Sequence, residues 1–188
     1  SALTPMQSAF NNLDRFISSY VEGRENEPDA SDSGKVILGN ERLLTEYSHL
    51  IKGKRLGLVT NQTGVDSAMV KTVDKLYNYN EAELTAIYSP EHGLDGKTLA
   101  GKYVASYTDK TLNLPVYSLY GETREPSKAM MENVDVMIFD MQDIGSRTYT
   151  YMSTLNYVMR AGKKYGKPVM ILDRPNPIGG SSVDGYVV

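Results

Sequence analysis

Short apolar runs rich in β-branched residues recur along the chain, and each is followed by a polar turn and then by a stretch with helical spacing. This alternation is typical of parallel strands that are connected by helices. The apolar runs predict five strands, at Arg55–Thr60, Leu84–Ser89, Val116–Leu119, Val136–Asp140 and Val169–Leu172. The helical spacing predicts helices at Asn40–Leu50, Ser67–Asn78, Ser127–Asn133 and Thr148–Tyr165.

Two of these segments indicate how the layers stack. The run Val136-Met137-Ile138-Phe139 contains no polar residue, as expected when helices cover both faces of a sheet. The longest helical stretch places an apolar stripe on one face, made of Tyr151, Leu155, Val158 and Met159. We therefore predict an α/β fold, a three-layer Rossmann-like sandwich around a mostly parallel five-stranded sheet.

The first 35 residues have a different character. Thr4 as N-cap and Pro5 in the first turn predict the start of a helix that ends at Gly23. The chain then stays polar up to residue 35, as is typical of a linker. We predict a packing or spacer helix with a polar linker in residues 1–35, and a Rossmann-like α/β domain in residues 36–188.

Charge and composition narrow the classes of function. The formal net charge is −3 and the pI is about 5.4, so no basic surface is expected to bind nucleic-acid phosphates. No apolar run approaches the roughly 20 residues that cross a bilayer. The absence of cysteine removes disulfides, thiolate metal sites and cysteine nucleophiles. The aromatic residues are 14 Tyr, 3 Phe and no Trp, which suits either stacking on sugars or ordinary half-buried positions.

Neither nucleotide fingerprint of α/β folds is present. The first predicted strand is not followed by G-x-G-x-x-G, and G-x-x-x-x-G-K-[ST] occurs nowhere in the chain. Binding of dinucleotides or of P-loop nucleotides is therefore not expected.

Clusters of polar side chains directly follow the predicted strands. They are Asn61-Gln62-Thr63-Gly64, Pro90-Glu91-His92-Gly93, Tyr120-Gly121-Glu122, residues 140–147 and Asp173-Arg174-Pro175-Asn176-Pro177. Ligands of open parallel sheets bind outside the carboxyl ends of the strands, where loops and helix N-termini converge. We therefore expect one site at that edge of the sheet.

The Pro-Glu-His-Gly turn is the most informative cluster, because it places a carboxyl group beside an imidazole in a stiff turn. Glu91 suits general acid catalysis at a glycosidic oxygen, although a solvated loop glutamate has the same local sequence. His92 fits a substrate contact or a structural role equally well. His49, in a predicted helix, is expected to be structural.

The remaining charged candidates leave alternatives open. Asp140 and Asp143 follow the most apolar strand, where they suit acid/base chemistry or hydroxyl binding. No accompanying histidine spacing supports a metal site, so no metal is expected. Arg147 and Arg174 suit bidentate binding of a substrate carboxylate, or internal ion pairs such as one between Asp173 and Arg174.

These strand-end segments together resemble the exo-β-N-acetylmuramidase (NamZ-type) family of peptidoglycan glycoside hydrolases. The resemblance runs from about Val36 to the end of the chain and rests on residues 57–64, 89–93, 115–121, 140–151 and 172–180. It implies the release of terminal β-linked N-acetylmuramic acid from non-reducing ends of peptidoglycan fragments, without a cofactor. It also implies an extracytoplasmic location, which is periplasmic, lipoprotein-anchored or secreted.

The resemblance assigns residues as well. It implies that Glu91 is catalytic and that the substrate pocket is lined by Asn61, His92, Asp140, Asp143, Arg147, Tyr149, Asp173 and Arg174. Members of this family continue beyond residues 172–180 into a second domain that closes the cleft. The chain is therefore expected to be a fragment that lacks this C-terminal domain.

Two mechanisms and one rival function stay open at this point. After Glu91 protonates the leaving oxygen, the nucleophile is either the N-acetyl carbonyl of the substrate, oriented by Asp140 or Asp143, or a water molecule. Arg147 or Arg174 is expected to read the lactyl carboxylate of muramic acid. The rival is a non-catalytic module that binds cell-wall glycans or muropeptides in the same pocket.

Overall fold

The computed structural model describes residues 36–99, 102 and 105–179. The predicted helix Thr4–Gly23 and its linker lie outside these residues, so the division of the chain at residue 35 stays a prediction. In the part of the chain that is described, no helix is both long enough and apolar enough to cross a bilayer.

A six-stranded sheet forms the centre of the domain. Its strands are β1 (Arg55–Thr60), β2 (Glu83–Ser89), β3 (Tyr107–Asp109), β4 (Leu114–Ser118), β5 (Val136–Asp140) and β6 (Val169–Ile171). They lie in the order β3-β4-β2-β1-β5-β6, and every neighbouring pair is parallel except β3 with β4. The mostly parallel sheet is confirmed, whereas the predicted count of five strands is wrong by one.

The additional strand, β3, is a short edge strand with little sequence signal. It has three residues and is largely exposed, so it shows no buried apolar alternation. The Asp109 side chain accepts the N–H groups of Thr111 and Leu112, each at 2.9 Å, and Asn113 adopts a left-handed conformation with φ 54°. This turn folds β3 back against β4, which explains the single antiparallel pair.

Helices cover both faces of the sheet, as predicted. They are α1 (Gly39–Thr45), a 3₁₀ turn (Ser48–Leu50), α2 (Thr72–Tyr77) and α3 (Tyr151–Tyr165). Met137 and Phe139 of β5 pack in the cluster that α3 contributes to, while Val136 and Ile138 pack in the cluster on the α1 and α2 face. Alternate residues of one strand thus enter two cores, and the three-layer α/β sandwich is confirmed.

The helix boundaries differ from the predicted ones for local reasons. Asp66 accepts the N–H groups of Ala68 and Val70, which holds a turn where the helix from Ser67 was predicted. Residues 127–133 form turns instead of a helix. The long helix begins at Tyr151 and not at Thr148, and it ends where Gly166 adopts a left-handed conformation with φ 67°. Met159, predicted on the apolar face, is exposed.

The strand order creates a switch point between β1 and β5. From β1 the chain moves to one side to form β2 and β4, and then crosses to the other side to form β5 and β6. The connections therefore diverge at the carboxyl ends of β1 and β5, which opens a crevice there. The fold alone points to this edge as the ligand-binding edge.

At the opposite, amino edge an ion pair joins the same two strands. Asp135 accepts hydrogen bonds from the Arg55 backbone N–H at 2.9 Å and from its Nη2 at 2.8 Å. The Asp135 N–H in turn donates to the Arg55 carbonyl at 2.7 Å. The hydrogen bonds and positive charge of Arg55 hold the pKa of Asp135 well below its usual range.

We expect Asp135→Asn to lower the free energy of unfolding by about 1 kcal/mol at neutral pH, a value reduced for partial solvent exposure. Because the folded-state pKa is depressed, this stabilisation is present above the unfolded-state value of about 4 and is lost as the pH falls through the folded-state value. Urea unfolding at several pH values should show the two proteins converging in acid.

The matched control is Glu81→Gln, which breaks the exposed pair with Lys52 on the same sheet edge. Exposed pairs contribute little, so this variant should follow the wild type. Equal losses in the two variants at neutral pH would contradict the role given to Asp135.

Candidate functional site

The loops that follow β1, β2 and β5 meet at the carboxyl edge of the sheet. Thr150 Oγ1 donates to Glu91 Oε2 at 2.9 Å, so the Pro-Glu-His-Gly turn contacts the start of α3. The Gln142 N–H donates to Thr63 Oγ1 at 2.9 Å and joins the loop after β5 to the loop after β1. The structure thus brings these predicted clusters together at one rim.

The turn that carries Glu91 is closed by its own residues. The Gly93 N–H donates to the Pro90 carbonyl at 3.1 Å, and His92 adopts a left-handed conformation with φ 71°. His92 Nδ1 lies 2.7 Å from the carbonyl oxygen of Thr98. Because a carbonyl only accepts, Nδ1 carries the proton, and the ring fastens the loop. His92 Nδ1 therefore has a structural contact, while the predicted contact of His92 with substrate stays a prediction.

Two hydroxyl groups contact the Glu91 carboxylate, which is partly buried. One belongs to Thr150. The other belongs to Tyr120, whose pKa is raised mainly by its side-chain hydrogen bond with Glu91 and further by desolvation. A raised pKa keeps the phenol protonated, so Tyr120 is a donor to the carboxylate.

Asn61 joins the end of β1 to the start of α3. Its Nδ2 donates to the Tyr151 hydroxyl at 2.6 Å, and its Oδ1 accepts from the N–H and Oγ1 of Thr63 at 2.9 and 2.6 Å. Tyr151 is 1% exposed, and its ring centroid lies 4.4 Å from that of Tyr149. Burial is the main cause that raises the pKa of Tyr151. Asn61 is thus committed to internal contacts, while Tyr149 lies at the rim.

Asp140 and Arg174 form a buried ion pair. Their side chains are 0% and 6% exposed, and Arg174 Nε lies 2.7 Å from Asp140 Oδ1. Thr72 Oγ1 donates to the other carboxylate oxygen at 2.6 Å, and Arg174 Nη2 donates to the Val65 carbonyl at 2.8 Å. Both residues were predicted as substrate contacts, but here each is satisfied internally. The partner of Arg174 is Asp140 and not Asp173.

The other predicted residues lie nearer the surface. Asp143 Oδ2 accepts the Gly145 N–H at 2.8 Å, while its Oδ1 is buried without a hydrogen-bond partner among the described residues. Asp173 is exposed and accepts the Arg174 N–H at 2.9 Å. Arg147 is exposed on the segment that leads into α3. All three residues lie on segments that follow β5 or β6, at the carboxyl edge of the sheet.

Sequence reasoning did not assign Thr150 or Tyr120, two described residues whose hydroxyl groups contact Glu91. Both lie inside segments that were singled out, at residues 115–121 and 140–151. The predicted helix began at Thr148, so Thr150 fell inside its first turn and carried no signal of its own. Over residues 36–99, 102 and 105–179 no group of three or more acidic or histidine side chains is arranged to hold a metal ion.

Comparison with known proteins gives consistent matches. The model of the family described as exo-β-N-acetylmuramidase NamZ, N-terminal, matches residues 56–188. The chain is 47% identical over 154 residues to the peptidoglycan β-N-acetylmuramidase NamZ of Bacillus subtilis (strain 168). The aligned region covers 82% of this chain and 37% of that protein. The chain therefore spans less than two fifths of the length of this relative.

Two crystal structures of DUF1343 family proteins from Bacteroides fragilis NCTC 9343 are also similar. The first has a TM-score of 0.73 and 43% sequence identity, and the match covers 81% of this chain and 38% of the Bacteroides chain. The second has a TM-score of 0.62 and 35% sequence identity, and the match covers 77% of this chain and 36% of the Bacteroides chain. The α/β architecture described above is thus shared with experimentally determined structures.

Replacing Arg174 by Met should destabilise the fold, because it leaves Asp140 charged and buried without a cation. We expect a loss of about 3–5 kcal/mol in the free energy of unfolding, measured by urea denaturation. The double variant with Asp140→Asn removes the uncompensated charge and should recover part of that loss. Arg160→Met, which removes an exposed arginine from α3, is the control and should change stability little. A loss in Arg174→Met no larger than in this control would refute the structural role.

Proposed function

The chain belongs to the exo-β-N-acetylmuramidase NamZ family, and from this membership we propose that it is the α/β catalytic domain of an exo-acting glycoside hydrolase. Its substrate is a peptidoglycan fragment, from whose non-reducing end it releases terminal β-linked N-acetylmuramic acid. The observation that supports this most directly is the placement of Glu91, partly buried and held by hydroxyl groups at the ligand-binding edge of the sheet.

In the proposed reaction Glu91 is the general acid and base. It gives its proton to the glycosidic oxygen as the bond from that oxygen to the anomeric carbon breaks. The resulting carboxylate then takes a proton from the water that completes hydrolysis. Thr150 and Tyr120 suit both states, because their hydroxyls can donate to the carboxylate and also to the carbonyl oxygen of the protonated acid, which leaves the acid proton for the glycosidic oxygen.

The nucleophile in the first step is either a water molecule or the N-acetyl carbonyl of the sugar. The second route needs a carboxylate to orient the acetamido group. Asp140 is unsuited to this role because it is buried and paired with Arg174. Asp143 is the better candidate, since only one of its oxygens is engaged among the described residues.

Specificity for muramic acid would come from its lactyl group, a carboxylate that N-acetylglucosamine lacks. Of the two arginines considered, Arg174 is occupied inside the protein. Arg147 is exposed and lies three residues before Thr150, on the segment that reaches Glu91. We therefore assign the lactyl carboxylate to Arg147, whose planar guanidinium suits bidentate binding.

This chemistry uses side chains and water, so the proposal includes no cofactor and no nucleic-acid partner. Because the proposed substrate is cell-wall material, we propose an extracytoplasmic location for the protein, which would be periplasmic, lipoprotein-anchored or secreted.

Glu91→Gln should lower kcat on an unactivated muramoyl disaccharide by at least about 100-fold, because the amide has no proton of suitable acidity to donate. Glu132→Gln, which changes an exposed glutamate far from the rim, should keep the wild-type rate. Turnover by Glu91→Gln close to wild type would remove Glu91 from the mechanism.

A chromogenic β-N-acetylmuraminide distinguishes the proposed hydrolase from the rival binding module. Saturable binding without release of the chromophore would indicate a binding module.

Arg147→Met should reduce the preference for β-N-acetylmuraminides over β-N-acetylglucosaminides by at least about tenfold in kcat/KM, because the anion loses its charged partner. The matched control is Arg160→Met, which removes an exposed arginine thirteen residues further along the chain, in α3. An unchanged preference in Arg147→Met would exclude Arg147 as the residue that reads the lactyl group.

A further inference from the structure

We propose that Thr150 is the positioning residue for Glu91, and that its hydroxyl serves this carboxylate in place of capping α3. The inference rests on the proposed function, since it concerns the residue assigned as acid and base. It adds that the N-terminal end of α3 positions the Glu91 carboxylate.

The local geometry of Thr150 departs from that of a capping threonine. Threonine is favoured at the N-cap because its hydroxyl can accept an N–H of the first turn, usually from an extended backbone conformation. Thr150 occupies the N-cap of α3 with φ −80° and ψ −8°, a helical conformation, and its side chain makes no cap hydrogen bond. The hydroxyl instead donates to Glu91 Oε2 at 2.9 Å, across 59 positions of sequence.

The backbone that carries Thr150 is anchored on both sides. The neighbouring Tyr151 is fully buried, and its hydroxyl accepts from Asn61 Nδ2 at 2.6 Å. Before it, the Tyr149 N–H donates to the Ser146 carbonyl at 3.0 Å, and after it the Thr154 N–H donates to the Thr150 carbonyl at 3.0 Å. Thr150 therefore presents its hydroxyl from a nearly fixed point relative to the end of β1.

The charge distribution supports the same arrangement. The N-terminus of a helix carries a partial positive charge, and α3, with 15 residues, is the longest helix of the described chain. A carboxylate bonded to the N-cap side chain lies in this field, which favours the ionised form of Glu91, the form that takes the proton from water in the proposed reaction. Tyr120 contacts the same carboxylate from the loop after β4, so Glu91 is held from two elements.

The kinetic consequence follows from the cost of misplacing a reacting group. A displacement of about 1 Å can reduce a rate by about 100-fold, although the substrate is bound as before. Thr150→Val keeps the shape of the side chain and removes the hydroxyl. We expect kcat on a muramoyl disaccharide to fall by about 10- to 100-fold with KM within about twofold of wild type.

Two further variants make the test specific. Thr150→Ser restores a hydroxyl at the same position and should recover kcat to within about threefold of wild type. Thr154→Val makes the same chemical change one turn later, where the hydroxyl bonds the Thr150 carbonyl at 3.3 Å and not Glu91, and should behave as wild type. Thr150→Ala replaces the valine variant if that protein does not fold.

Crystal structures of the variants give a readout that does not depend on turnover. The Glu91 carboxylate should keep its position in Thr150→Ser and Thr154→Val and move in Thr150→Val. Wild-type kcat in Thr150→Val, failure of serine to rescue, or an unmoved carboxylate would each overturn the inference while leaving Glu91→Gln to judge the proposed function. If the wild type releases no product, the proposed function fails, and the position of the carboxylate alone decides the role of Thr150.

Discussion

The buried ion pair between Asp140 and Arg174 is the interaction on which the carboxyl edge of the sheet depends. It joins the end of β5 to the segment after β6, and through Thr72 and Val65 it also holds the start of α2 and the loop after β1. A charge at the end of a fully buried strand is tolerable only with a partner and complete hydrogen bonding. The same contacts that satisfy this charge therefore bring four separate segments to one place.

Two groups of residues can be distinguished at the carboxyl edge: those whose side chains hold the edge together and those that lie near its surface. Asn61, His92, Asp140 and Arg174 have the side chains expected of a ligand site, but each uses at least one polar atom to hold loops and strands together. Glu91, Arg147 and Tyr149 lie at or near the surface of the same edge. Polar side chains concentrate at such an edge for both purposes, because backbone and charged groups where strands end must be satisfied as well as used.

The position of Glu91 illustrates how the two sets cooperate. Its turn belongs to β2, whereas the hydroxyls that contact it come from the loop after β4 and from the start of α3. Tyr151, the residue after Thr150, is anchored to Asn61 at the end of β1. The geometry around one carboxylate is therefore determined by strands on both sides of the switch point, and this dependence suits a group that must be held accurately for proton transfer.

The sequence by itself determined the parallel α/β plan, the bounds of β1 and β5 and the strand-end positions of the polar clusters, because these follow from periodicity within a few residues. It could not supply β3, which lacks a buried face, or show that residues 127–133 form turns. Only the tertiary structure decided that Arg174 pairs with Asp140 and not with its neighbour, and that the Thr150 hydroxyl contacts Glu91. Those contacts join residues 34 and 59 positions apart. Their existence depends on strand order and on which buried charges need partners, and neither is encoded in local spacing.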